Sequence, residues 1–384
     1  MNWRSALVRP EMSVLAAVAV AAAGVAVVAL SSPAQASNVT ASSCSHSPTP
    51  TPTPTHSTPT PTPTVTPTVT PSVTPSPTAT PTVTPTPLLS ITPAIAAPLS
   101  VATSSCPQPK PAQGVSVSVY PQSGETVGIA YPITVNFSHD ISHKQLAEEN
   151  MRVFVNGKPS SGAWMWQSNS SAMFRQRTFW PGHATITVKL TLKGVDLYES
   201  KQFRFIGRAS TMRIYTLHTA RAFVAKVNAT TDRMKIYIDG HLVKNFPVSL
   251  GKKGFETRSG VKAVAEKYPT RHMTSKLAGI TDPNDQYDLT APWAVRLTWS
   301  GEFVHGAPWA AFRIGKFNGS HGCTNLLTND AKWFYDHSVT GDPVVTIGTN
   351  RAMEPGNSIG GPYNIAWSTW LAHSKLKGHW PVAK

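Results

Sequence analysis

The sequence predicts a mainly β protein: an immunoglobulin-like β-sandwich, then a second β-rich unit, both preceded by a segment with no core of its own. Three observations carry this reading. Most of the 34 prolines lie before residue 112. From Gly114 to Gly207 apolar residues tend to alternate with polar ones. Beyond residue 208, short β-branched and aromatic runs are separated by turn residues, with one clear helical stretch.

The N-terminus reads as an export signal over residues 1–36. Arg4 and Arg9 are basic, Val14–Leu30 is almost wholly Ala, Val, Leu and Gly, and Ala34-Gln35-Ala36 is a small-x-small cleavage site. The apolar run also approaches the length of a bilayer span, so an uncleaved anchor fits the same residues. Residues 37–113 are a Pro/Thr-rich linker. From Pro48 to Pro87 it is a Thr-Pro repeat, in which proline fixes φ and removes donors. Such a segment is a disordered, semi-rigid spacer that extends reach.

Residues 114–207 carry the sandwich pattern. Val115, Val117 and Val119 alternate with Gly and Ser, the period of a half-buried strand. Further strands are expected at Ile133–Phe137, Met151–Val155, Ala184–Leu192 and Gln202–Ile206, with a hairpin turn at Asn156-Gly157. Trp164, Trp166 and Trp180 read as core aromatics. Residues 208–350 form the second unit. Its expected strands are Arg221–Asn228, Arg233–Ile238, Phe246–Leu250, Trp293–Trp299, Glu302–Val304 and Val344–Ile347. A helix is expected over Asn329–His337, capped by Thr328. Residues 351–384 are a tail whose Tyr363, Trp367, Trp370 and Trp380 are expected to pack between the two units.

The net charge of +15 favours anionic partners. Nucleic acid is not one of them, because no basic helix, finger or ribonucleoprotein motif accompanies the charge and an exported chain does not meet it. The cysteines are Cys44, Cys106 and Cys323. Cys44 and Cys106 flank the Thr-Pro tract in similar Ser-Ser-Cys contexts, and either pair or stay free. Lipidation of Cys44 is also open. Cys323 is the odd thiol.

Cys323 lies in Ser320-His321-Gly322-Cys323-Thr324-Asn325, and His305 lies eighteen residues before it. A thiol attacks as thiolate, and a neighbouring imidazole takes its proton and holds the ion pair. His321 is near in sequence, whereas His305 is far enough away to lie on an adjacent strand. Gly322 permits a tight turn, in which the N–H groups of Gly322 and Cys323 are candidates to face an oxyanion, each such donor being worth about 3–4 kcal/mol. A buried structural cysteine is the plainer reading of the same residue. Zinc is disfavoured because no fourth ligand sits at metal spacing; no metal or other cofactor is expected.

His305, fourteen residues, then Ser320-His321-Gly322-Cys323-Thr324-Asn325 resembles the signature of the L,D-transpeptidase catalytic domain, the YkuD family. Val304–Trp309, Gly194–Leu197, Ala331–Asp336 and Trp367–Trp370 extend the resemblance to mycobacterial-type members, from about Val115 to the C-terminus. The resemblance implies an immunoglobulin-like domain followed by the catalytic domain. It implies a peptidoglycan cross-linking acyltransferase acting in the cell wall, with a tetrapeptide donor stem and an acceptor stem as substrates. Cys323 is then the nucleophile and His305 the base, oriented by the carbonyl of Gly306. D-Ala leaves, and a 3→3 cross-link forms. His321 supports the site. Ser320, Gly322 and Asn325 fix the loop and contact substrate, and Met273 and Tyr287 form a lid and pocket. Carbapenem β-lactams are the implied inhibitors, and anionic wall polymers the implied surface partners. Thr324 stands where an apolar residue is usual and Gly306 where some members have Ser, neither of which removes the carbonyl that orients His305. Asp196 and Glu199 match positions that hold calcium in a relative. Two alternatives use the same residues differently: an L,D-carboxypeptidase in which water resolves the thioester, and a non-catalytic wall-binding module.

Overall fold

The computed structural model describes residues 108–379. The export signal, the Thr-Pro spacer, Cys44, Cys106 and Trp380 lie outside the described residues. The fold is mainly β, as expected.

The first core is enclosed by two sheets. One has the strand order Val117–Tyr120, Ile133–Phe137, Ser171–Arg175, Ala163–Trp166. The other has the order Thr126–Val127, Met212–Thr219, Thr185–Thr191, Met151–Val155, Lys158–Pro159. Their inward residues include Val135, Phe174, Val188 and Leu190, all buried. Trp164, Trp166 and Trp180 are core residues, and two of them satisfy their indole N–H on carbonyls, Trp164 on Met151 and Trp180 on Tyr131. The Asn156-Gly157 turn joins Met151–Val155 to Lys158–Pro159, both turn residues having positive φ, as a primed hairpin turn requires.

The alternation from Gly114 to Val119 is not one strand. Ala112–Val115 pairs in parallel with Arg204–Gly207 in a small third sheet, while Val117–Tyr120 pairs antiparallel with Ile133–Phe137. Both halves keep period 2, so the switch leaves no mark in the pattern. The sandwich also runs past the expected end at Gly207: Met212–Thr219 hydrogen-bonds along Thr185–Thr191, and the second unit's first strand is Phe223–Asn228.

The second unit has two sheets. A five-stranded sheet has the order His241–Pro247, Arg233–Ile238, Phe223–Asn228, Pro343–Ile347, Gly260–Ala263. A four-stranded sheet has the order Glu266–Thr274, Asp288–Arg296, Phe303–Gly306, Thr324–Leu326. The expected strand at Phe246–Leu250 lies earlier, at His241–Pro247, because it pairs with Arg233–Ile238 through a tight turn at Asp239-Gly240. The helix Thr328–His337 begins one residue before the expected start, so Thr328 is inside it and Leu327 is the cap, without a capping side chain. Its Ala331 and Phe334 are fully buried, and Phe334 meets Phe223 edge-on at 5.8 Å. Burying a phenylalanine this way contributes about 2–3 kcal/mol.

The tail does pack between the units. Trp370 is fully buried and donates to the carbonyl of Ala163 at 2.9 Å. Asn364 both accepts from and donates to the backbone of Val261 in the other unit. Arg175 is 1% exposed and lies against the rings of Tyr363, Trp367 and Trp370, while donating to the Ile365 carbonyl. Glu148, buried in the sandwich, accepts hydrogen bonds from Trp166, Ser374, Lys375 and Leu376.

Candidate active site

Two neighbouring parallel strands place the chemistry. Phe303–Gly306 and Thr324–Leu326 pair with Val304 opposite Thr324, His305 opposite Asn325 and Gly306 opposite Leu326. Parallel strands need a long crossover, and the seventeen residues from Ala307 to Cys323 supply it. Side chains alternate across a sheet. Val304 and Leu326 therefore enter the core, while His305 and Asn325 share the other face. Cys323, two residues before Asn325, opens on that same side. Both Cys323 and His305 line a cleft of about 660 Å³.

His305 is held in one tautomer. Its Nδ1 lies 2.9 Å from the carbonyl oxygen of Gly306. A carbonyl only accepts, so Nδ1 carries the proton and Nε2 keeps its lone pair. The ring stacks beside Trp309 at 5.9 Å and is 4% exposed. Burial pushes its pKa down to about 4, and the Gly306 carbonyl offsets this only in part.

Cys323 Sγ lies 3.8 Å from the carbonyl of Gly301. Burial pushes the thiol up to about 12; the Phe303 N–H and Lys262 oppose that rise and Glu302 reinforces it. With the thiol pushed up and the imidazole pushed down, burial favours a neutral thiol beside a neutral imidazole at neutral pH.

The loop before the thiol is closed on itself. Ser320 Oγ donates to the Cys323 carbonyl at 2.6 Å and accepts from the Gly322 N–H at 3.1 Å. This corrects the expectation that the Gly322 N–H faces an oxyanion, because that donor is committed to Ser320. The Gly322 carbonyl accepts from Thr257 Oγ1 at 2.8 Å. Gly322 sits at φ +119°, a conformation glycine adopts readily and other residues do not. Asn325 is 2% exposed; its backbone pairs in both directions with Ser249, and its side-chain oxygen has no hydrogen-bond partner.

His321 forms a wall. Its ring lies 4.9 Å from both Phe255 and Tyr287, and its Nε2 is 3.4 Å from Asp285, which also pairs with Lys252. Burial, and next the Lys252 charge, hold its pKa below the ordinary value. Met273 is the penultimate residue of the strand Glu266–Thr274 and Tyr287 precedes its partner Asp288–Arg296, and both line the cleft. The hairpin they flank carries the exposed Leu277, also at the cleft. Of the residues singled out in the sequence, Ser320, His321, Gly322, Asn325, Met273 and Tyr287 join Cys323 and His305 around this space, while Gly306 contributes its carbonyl.

Sequence reading missed the charges beside the thiol. Glu302 is 4% exposed and lines the cleft. It accepts from Lys262 Nζ at 2.9 Å and from Arg258 Nη1 at 2.9 Å. Lys262 is fully buried and lies forty residues from Glu302 in the chain, so no local pattern marks the pair. Arg271, Arg296, Arg313 and Arg351 also border the cleft. Elsewhere, Asp196 is paired with Arg204 and with His143, and Glu199 with Lys110. Among the described residues no group of three His, Cys, Asp or Glu is placed to hold a metal ion.

The chain is similar to known proteins over both units. Residues 222–346 match the L,D-transpeptidase catalytic domain family, and residues 94–196 match a bacterial Ig domain family. L,D-transpeptidase 2 of Mycobacterium tuberculosis is 32% identical over 286 residues, which is 74% of this chain and 67% of that protein. L,D-transpeptidase 1 of the same organism is 30% identical over 254 residues, covering 66% of this chain and 92% of that one. The solved structure of LD transpeptidase LdtMt1 in complex with imipenem superposes with a TM-score of 0.51 at 29% identity, covering 62% of this chain and all of that one. An L,D-transpeptidase from Mycobacterium smegmatis superposes with a TM-score of 0.50 at 29% identity, with the same coverage.

Proposed function

The chain belongs to the L,D-transpeptidase family, and from that premise we propose that it cross-links peptidoglycan stem peptides through a thioester on Cys323. The observation that carries the reading is the fixed tautomer of His305, whose unprotonated Nε2 belongs to the same cleft as the thiol. Cys323 Sγ attacks the carbonyl between the third residue and D-Ala of a tetrapeptide stem while His305 takes the sulfur's proton. The tetrahedral adduct collapses, the C–N bond breaks, and His305 returns the proton to the departing amine of D-Ala. The side-chain amine of the third residue of a second stem then attacks the thioester, loses a proton to His305, and expels the sulfur. The product is a 3→3 cross-link.

General-base transfer suits a neutral thiol beside a neutral imidazole, because both start uncharged and charge builds only in the transition state. Arg271, Arg313 and Arg351 at the cleft suit a stem that carries free carboxylates. A carbapenem offers its strained carbonyl to the same sulfur, as the imipenem complex of a relative suggests. The basic chain, exported by residues 1–36, would work outside the cytoplasmic membrane against an anionic wall.

The test is to incubate the purified protein with a tetrapeptide muropeptide and identify products by mass spectrometry. A 3→3 dimer with loss of D-Ala is expected, absent in Cys323→Ser and in His305→Gln. Tripeptide alone would replace the transferase reading with a carboxypeptidase. No product and no carbapenem adduct from a chain with a free thiol would leave a wall-binding module.

A further inference from the structure

Both oxygens of the Glu302 carboxylate are engaged. One oxygen accepts from the Arg258 N–H at 3.0 Å and the Arg258 guanidinium at 2.9 Å, and the other accepts from Lys262 Nζ at 2.9 Å. Lys262 spends a second donor on the Arg258 carbonyl at 2.8 Å. Arg258 reaches on to Glu354 at 2.6 Å. The cluster's charges are spent on one another, and such a group is costly to bury. Its position distinguishes it from ordinary packing. Glu302 sits between Gly301, whose carbonyl faces the sulfur, and Phe303, whose N–H favours the thiolate. Its own N–H is tied to Thr298 Oγ1 at 2.8 Å. From the other side, Thr257, the residue before Arg258, holds the Gly322 carbonyl.

Resting on the reading of Cys323 as the nucleophile, we propose that Lys262 and Glu302 are positioning residues for it. Glu302 clamps the backbone that faces the sulfur, and the buried Lys262, held against the Glu302 carboxylate at 2.9 Å, places a positive charge behind the thiolate formed during acyl transfer. Neither touches substrate. The two act on the sulfur with opposite sign: the carboxylate resists a second negative charge and the ammonium favours it. The other groups on the cleft are His305 from the adjacent strand, Tyr287 and His321 across it with Asp285 and Lys252 behind His321, and Arg271, His272, Arg296, Arg313 and Arg351 around its border. Arg258 and Glu354 complete the charge around Glu302.

The experiment is the pH dependence of Cys323 alkylation by iodoacetamide in the whole protein, which forms the S–C bond and releases iodide. Lys262→Met should move the profile to higher pH and Glu302→Gln to lower pH, each by about one unit or more, roughly tenfold in rate on the rising limb. Lys262→Arg should restore the wild-type profile in large part. The double variant Lys262→Met/Glu302→Leu, which leaves no unpaired buried charge, should fall between the single variants, and it keeps the test open if Lys262→Met does not fold. Shifts in the same direction, or profiles that coincide with wild type in folded variants, would overturn the proposal. Failure of the nucleophile reading looks different: cross-linking would survive Cys323→Ser while the alkylation profiles still moved apart.

Discussion

Ser320 Oγ donates to the carbonyl of Cys323 at 2.6 Å, tying together the two ends of the four-residue turn that carries the thiol. The same hydroxyl accepts from the Gly322 N–H, so one side chain satisfies the turn's polar groups from inside. The turn is thereby closed on itself, an arrangement that suits the proposed acyl transfer, in which the sulfur meets a carbonyl at one angle.

Ser320→Ala should unpair a buried carbonyl and an N–H. The expected loss of stability is about 1–3 kcal/mol, read as a fall in melting temperature. Acylation by a carbapenem, followed by intact-mass spectrometry, should slow by at least about tenfold, as a loosened near-attack geometry predicts. Ser320→Thr keeps the hydroxyl and should be the milder variant. Equal rates for wild type and Ser320→Ala would show that the turn holds without it.

Gly322→Ala tests the backbone alone. A Cβ there would meet nothing closer than the Phe255 carbonyl at 3.7 Å and Glu302 Cγ at 3.8 Å, which is ordinary contact. The cost should instead come from φ +119°, about 1–3 kcal/mol for a non-glycine residue. Acylation should drop while far-ultraviolet circular dichroism stays the same.

His305 links stability to acid. Its folded pKa is about 4 against 6.5 for the free side chain. Between those values the unfolded chain takes up a proton that the folded one does not, so stability falls as pH falls from about 6.5 to about 4. The full contribution is about 3 kcal/mol. His305→Gln should lose less stability than wild type between pH 7 and pH 4.5, as measured by denaturant midpoints at both. An identical acid loss in the two proteins would contradict the burial assigned to the ring.

Arg175 fastens the tail. Arg175→Ala removes a guanidinium that touches three rings and leaves the Ile365 carbonyl without this donor. A cavity plus a lost buried hydrogen bond predicts a cost of about 3 kcal/mol. Limited proteolysis should then cut within residues 363–379, which the intact protein protects. Arg175→Lys keeps the charge without the planar group that stacks on several rings, and should rescue only in part.

The sequence by itself determined the candidate residues for chemistry and the period of most strands. Cys323, Gly322 and His305 were recognisable because chemistry restricts residue type and spacing, and Arg233–Ile238 or Met151–Val155 because alternation is a local property. Tertiary structure decided the rest. It split the Gly114–Val119 run between two sheets and gave Met212–Thr219 to the sandwich, because strand partners lie tens of residues away and period 2 does not name them. It committed the Gly322 N–H to Ser320, and it left thiol and imidazole neutral, because burial is a property of the packed molecule. It also brought Lys262 and Arg258 to Glu302 beside the thiol. Nothing in a chain shows that charges forty residues apart will share one buried site, since only folding removes the water that would otherwise separate them.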